Sequence, residues 1–325
     1  MSFFLFSRNR FLVPLIFLAV TFLSCEKDTP GELILVEKQP EKGFNFPYYL
    51  FVPEEISKSS EKFLIVEPNN TGLAIDDFKE HLAKAERTAS KDFYLGNYAA
   101  VKLDCPLLVP VFPRCKTTGN MYTHSLDRDV VLQKDNDFER LDLQLLSMVE
   151  DAREKLAQQG IEVAPEILMA GFSASGTFAN RFSLIHPTKV KAVAAGGLNG
   201  ILMLPLSEEN GRELNFPVGT NDFENLFGSA FDSVAFKKTP QFLFMGELDR
   251  NDALPFDDAY DPAERKAITA VLGAGMLPER WNNSRNIYLR EDVNAKVKVF
   301  EGIGHEHPER VKKEIVSFFK NAIKE

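Results

Sequence analysis

Ser173 sits in the hexapeptide Gly171-Phe172-Ser173-Ala174-Ser175-Gly176, between an apolar run from Glu166 to Ala170 and a helix-like run from Thr177 to His186. Small residues at 171, 174, 175 and 176 permit a sharp strand-to-helix turn that leaves a serine hydroxyl uncovered at a sheet edge. A hydroxyl placed there is a candidate nucleophile, and the helix after it turns its N-terminal dipole toward developing negative charge. A strict G-x-S-x-G pattern has glycine where this chain has Ser175, which is small enough to keep the turn. Taken alone, the hexapeptide is equally a glycine-rich turn with a solvated serine.

An activated serine needs a base, and the base needs an orienting acid. The apolar run Gln241 to Met245 ends in Gly246-Glu247-Leu248-Asp249, and the alternating run Lys296 to Phe300 leads into Gly302-Ile303-Gly304-His305. Serine, aspartate and histidine therefore follow in that chain order, each just beyond an expected strand. Asp252, Asp257 and Asp222 are rivals for the acid, but Asp249 is nearest a strand end, where the sheet fixes position. His307 forms an H-x-H with His305, a weak zinc signal without a matching ligand cluster. His186 ends the helix after the elbow, His81 falls on a polar helix face and His124 in a loop near Tyr122. These three read as structural or solvated.

This order and placement resemble the α/β-hydrolase superfamily. The likeness rests on G-F-S-A-S-G, M-G-E-L-D and G-I-G-H, spans Leu33 to Ile323, and in texture is similar to bacterial feruloyl esterases and polyhydroxyalkanoate depolymerases. It implies a serine hydrolase that cleaves carboxylic esters through an acyl-enzyme, with no metal or organic cofactor. By motif, Ser173 would be the nucleophile, His305 the base and then the acid, Asp249 the orienting carboxylate, and the Ala174 amide one oxyanion donor. The second donor would come from Glu67-Pro68-Asn69-Asn70-Thr71-Gly72, where many relatives carry His-Gly; register selects Asn70. The same segment reads equally as an asparagine-rich turn before a helix at Asp76. A peptidase or acyltransferase would use the same triad, and a non-catalytic envelope protein keeping only the fold is the alternative from another class.

The elements that must position these residues alternate strand and helix, which implies a mainly parallel, doubly wound sheet covered on both faces. Leu33 to Val36 and Tyr48 to Val52 read as an antiparallel edge, followed by a strand at 63–66 and a helix from Asp76 to Phe93. Leu141, Leu145, Met148, Val149, Ala152 and Leu156 form the apolar stripe of a long helix from Phe138 to Gln159, stopped by Gly160. Strands follow at 166–170, 190–195, 241–245 and 296–300, and the last helix runs from Pro308 to Ile323. Two inserts, 196–239 and 250–295, emerge at the catalytic edge and could form a small cap. Phe216, Phe223, Phe227 and Phe231 in the first, with Arg280 and Trp281 in the second, could line an acyl or aryl pocket or fill the inserts' own core. Arg114 could bind a substrate carboxylate or pair with a nearby acid.

Arg8 and Arg10 precede the apolar stretch Phe11 to Leu23, too short to span a bilayer comfortably and suited to a signal-peptide core. Cys25 after Phe22-Leu23-Ser24 resembles a lipoprotein cleavage box, with ordinary cleavage near Ser24 or an uncleaved anchor as alternatives. The chain divides into residues 1–25 as signal, 26–32 as tether and 33–325 as catalytic domain. Export with lipid on Cys25 would place the protein in the cell envelope, held to the membrane by that anchor. The net charge is −9, and without Arg8 and Arg10 it becomes −11, which argues against a nucleic-acid partner and against binding to anionic lipid by charge. A small-molecule or polymer-borne ester is the expected substrate. Cys105 and Cys115 flank an expected strand, Leu107 to Phe112, which would hold them beyond the ~7 Å reach of a disulfide unless a turn at Pro106 or Pro110 brings them together.

Overall fold

The computed structural model describes residues 27–324. Eight strands form one sheet in the order β1-β2-β4-β3-β5-β6-β9-β10. β1 (Gly31–Val36) pairs antiparallel with β2 (Tyr48–Pro53), and β2 pairs antiparallel with β4 (Leu107–Pro110). From β4 onward every pairing is parallel, through β3 (Lys62–Val66), β5 (Val163–Phe172), β6 (Val190–Gly196), β9 (Gln241–Gly246) and β10 (Ala295–Phe300). The central strands are apolar on both faces, as parallel strands covered by helices must be. In β5, Leu168 and Ala170 face one apolar layer while Ile167 and Met169 face the other.

One layer contains α1 (Phe78–Ser90), α2 (Leu95–Leu103) and the C-terminal α10 (Glu309–Ala322). The other contains α3 (Arg128–Val131), α4 (Leu141–Gln158) and α5 (Ala174–Ile185), together with both inserts. The first insert carries the hairpin of β7 (Glu208–Glu209) and β8 (Arg212–Glu213), then α6 (Phe223–Phe227) and α7 (Ser233–Lys238). The second carries α8 (Pro262–Leu272) and α9 (Trp281–Arg290). Asp261 caps α8 in a reciprocal box with Glu264, which fixes where that helix starts.

Two expectations need correction, and one pair of alternatives is decided. The helix anticipated from Asp76 to Phe93 is shorter: α1 is capped by Asp77 and ends at Ser90, and a further helix, α2, not anticipated, begins beyond it at Leu95. His81 is fully buried rather than on a polar face, because His81, Ala85, Thr88 and Ala89 form the inward stripe of α1. The aromatics of the first insert, with Arg280 and Trp281, pack in the core and line neither cavity beside Ser173. Cys105 and Cys115 are unpaired thiols, Cys105 buried and Cys115 half-buried. Cys25 and the apolar stretch before it lie outside the described residues. No described helix is long and apolar enough to cross a membrane.

Candidate active site

β5 ends at Phe172 and α5 begins at Ala174, so Ser173 alone makes the turn. Its backbone is left-handed, φ 61° and ψ −128°, a conformation that costs a non-glycine residue about 1–3 kcal/mol and persists only when its surroundings impose it. They do so here. The Ser173 amide donates to Gly196 O of β6 at 2.8 Å, and the Ser175 hydroxyl bridges the Phe172 amide (3.0 Å) and carbonyl (2.9 Å). Ser175 thus does a job that glycine could not, which explains the departure from G-x-S-x-G. At 171, by contrast, a Cβ would come within 2.3 Å of Ser175 O, so glycine is required. The Ser173 side chain makes no capping bond to α5, leaving its hydroxyl uncommitted.

Asp249 and His305 arrive on two loops that are bound to each other. The amides of Glu247 and Leu248 donate to Phe300 O and Ile303 O at 2.9 and 2.8 Å, and the Gly302 amide donates to the Glu247 carboxylate at 2.9 Å. Asp249 is fully buried. Its Oδ1 accepts the Asn251 amide at 2.9 Å, and its Oδ2 accepts His305 Nδ1–H at 2.8 Å. That bond fixes the neutral imidazole with its lone pair on Nε2. The ring also packs on Phe172, 4.7 Å between centroids.

Among the described residues, the partner of His305 Nε2 is the side-chain amide of Asn251 at 3.1 Å, and no hydrogen bond joins His305 to the Ser173 hydroxyl. The two residues are nonetheless neighbours. A Cβ at Gly197 would lie 2.9 Å from His305 Cε1 and 3.1 Å from the Ser173 amide nitrogen, so only a glycine fits between them. Of the rival acids, Asp252 pairs with Arg280, Asp257 with Arg265 and Asp222 with Arg128. None reaches the histidine.

Two cavities meet at Ser173. The larger, about 280 Å³, is lined by Asn70, Phe93, Tyr94, Phe172, His305 and His307, with Glu67 and Lys84 among its polar residues. The smaller, about 40 Å³, runs along α5 past Ala174, Thr177 and Arg181 to Tyr122, Asn251 and Tyr260. Ala174 lines the smaller cavity and Asn70 the larger. The Asn70 side chain accepts the Gly72 amide at 3.0 Å, a tight turn that directs the loop.

Buried polar residues support that loop. Asn69 exchanges hydrogen bonds with the Phe112 backbone at 2.9 and 3.0 Å. His81 Nε2–H donates to Ile75 O at 2.9 Å, and its Nδ1 meets the Thr71 hydroxyl at 2.7 Å. His124 donates from Nε2 to Phe112 O at 2.9 Å; burial, with the nearby His81, pushes it down to about 3, so it is neutral. Burial likewise pushes Glu67 up to about 8 although the Gly96 amide donates to it at 2.6 Å, so this carboxyl is mostly protonated at neutral pH. His307 is held down at about 4, chiefly by burial. It meets Phe172 edge-on at 4.9 Å between centroids and does not pair with His305 as a co-ligand, since His305 Nδ1 belongs to Asp249. No cluster of His, Cys, Asp and Glu that could hold a metal ion occurs among the described residues. His186 pairs with Asp142 at 2.8 Å, and Arg114 pairs with Asp258 while its guanidinium lies 3.7 Å from the Tyr122 ring centre. Both are structural.

Neither a protein-family model nor a curated protein matches the sequence. Solved structures do match. A poly(aspartic acid) hydrolase from Sphingomonas sp. KT-1 aligns over 90% of this chain and 98% of its own, at TM-score 0.55 and 14% identity. A poly(3-hydroxybutyrate) depolymerase from Bordetella parapertussis aligns over 90% of each chain at TM-score 0.53 and 16% identity. At such identities the likeness concerns architecture. The central, mostly parallel eight-stranded sheet with helices on both faces is the α/β-hydrolase fold.

Proposed function

We propose that the protein is an exported serine hydrolase that cleaves carboxylic esters through an acyl-enzyme. The observation that carries this reading is the Asp249–His305 hydrogen bond beside a left-handed Ser173, with Ser173 and His305 lining one cleft. That two hydrolases share the fold supports the broader class. His305 Nε2 takes the Ser173 proton as Oγ attacks the carbonyl carbon. The Ala174 and Asn70 amides stabilise the oxyanion, where loss of one donor typically costs about 3 kcal/mol. His305 then protonates the leaving alcohol and deprotonates the water that releases the acid. Asp249 stays ionised and holds the ring in the productive tautomer. For this sequence Asn251 must yield Nε2 to Ser173, in keeping with catalytic hydrogen bonds that tighten only once substrate is bound.

Export and a lipid on Cys25 belong to the same proposal and rest on residues 1–25 of the sequence. Ser173→Ala tests the chemistry. Hydrolysis of a short p-nitrophenyl ester should fall by about 10⁴-fold or more, and fluorophosphonate labelling should vanish, with the circular dichroism spectrum unchanged. Undiminished turnover in the folded variant would refute the assignment.

A further inference from the structure

The smaller cavity is lined by a cation that no carboxylate pairs with directly among the described residues. Arg181 is only 2% exposed, yet no acidic side chain pairs with it among the described residues. Its Nη1 donates to Ser125 O at 3.0 Å and sits 3.4 Å from Ser125 Oγ, and the Tyr260 ring centre lies 5.6 Å from the guanidinium carbon. The Tyr260 hydroxyl also meets the guanidinium, and no carboxylate completes the fork among the described residues. Arg280 is different: it pairs with Asp252 and its Nε and Nη1 are sealed in the core, whereas the free donors of Arg181 are not among the sealed atoms. The nearest acids, Asp127 and Glu264, are each pushed up to about 7 by burial, so they offset the arginine incompletely below neutral pH.

The helix sets the reach. Ala174, Thr177 and Arg181 line the cavity at successive turns of one face of α5, with Ser173 at its head. Eight residues at 1.5 Å each put the Arg181 backbone about 12 Å from that of Ser173, and a helical side chain leans back toward the N-terminus. A guanidinium on a stem of roughly 6 Å therefore lies a few bonds from the carbonyl that Ser173 attacks. The cavity has room for about three waters, enough for one carboxylate and a short stem. His305, which must protonate the leaving alcohol, lines the larger cavity and not this one. The acyl group accordingly enters the smaller.

We propose that the acyl part of the substrate is short and ends in a carboxylate, which Arg181 receives in its fork beside Ser125 and Tyr260. This rests on the ester-hydrolase reading above and names the substrate class of that site. A guanidinium matches a carboxylate in two parallel hydrogen bonds, which lysine cannot reproduce.

The test compares phenyl hemisuccinate with phenyl butyrate, which lacks the terminal charge, with self-cleavage of the hemiester subtracted using Ser173→Ala. Wild type should favour the hemisuccinate in kcat/KM by at least about tenfold, a difference of about 1.4 kcal/mol. Arg181→Gln should bring the ratio to about one, and Arg181→Lys should keep part of it. Because a buried arginine can be needed for folding, inhibition of the unaltered enzyme is measured as well. Succinate should compete with phenyl butyrate at concentrations where butyrate does not. If phenyl butyrate is cleaved through Ser173 while the hemisuccinate is no better and succinate does not compete, the inference falls and the ester-hydrolase reading survives. If neither ester is cleaved through Ser173, that reading falls first.

Discussion

The two inserts between the strands of the catalytic half have similar lengths and opposite uses. The first, after β6, spends its large residues on packing. Phe216, Phe223 and Phe236 are buried, and the rings of Phe216, Phe227, Phe223, Phe231 and Phe236 touch in succession at 4.7–5.8 Å between centroids. The second, after β9, buries Trp281 and Tyr288 against the first but gives Asn251, Ala253, Ala259 and Tyr260 to the wall of the smaller cavity. Small and polar residues shape the cleft here, and aromatic ones hold its frame. A rich run of phenylalanines in a long connection is thus better read as a satellite core than as a substrate pocket.

Substitutions in the two inserts should separate these roles. Phe223→Ala removes a buried ring from the first insert and should cost about 3–5 kcal/mol of stability, read as a lower urea midpoint. Its kcat/KM at a temperature where it remains folded should stay within a few-fold of wild type, and a large loss of activity there would erase the contrast. Asn251→Ala, in the second insert, should leave stability within about 0.5 kcal/mol, because the side chain is exposed. Freeing His305 Nε2 from a competing donor should change the pH dependence of kcat/KM, and an unaltered profile would show that Asn251 has no hold on the base. Phe256→Ser, on the outer surface of the same insert, should alter stability by no more than about 0.5 kcal/mol. Activity should be unaffected, since Phe256 is exposed and lines neither cavity.

Most of the architecture could be read from the sequence because strand runs, amphipathic stripes and chain order are local signals. The antiparallel edge, the strands at 163–172, 190–196, 241–246 and 295–300, and the final helix all fall where the pattern puts them. The gathering of Ser173, Asp249 and His305 at one edge follows from the same signals, since each sits one short loop beyond a parallel strand. What escaped is instructive. α2 contains Gly96 and Asn97, poor helix formers, and forms because packing and the Glu67 carboxyl at the Gly96 amide support it. His81 looked wet because its helical neighbours are charged, while the residues sharing its inward face are small and weakly apolar. Arg181 and Asn251 carry no motif. Arg181 could have been found by counting two turns along the helix after the nucleophile, but whether its charge is met by an acid depends on residues more than fifty positions away.

The left-handed backbone at Ser173 has a practical bearing on control experiments. Alanine at that position inherits the contorted geometry and removes only the oxygen, so its folding energy resembles that of the parent. Glycine would also relax the torsion and could raise the melting point while abolishing turnover, which mixes two effects in one substitution. The reactive residue is thus one of the places where this polypeptide is least comfortable, and the neighbouring strand, through Gly196, is what keeps it there.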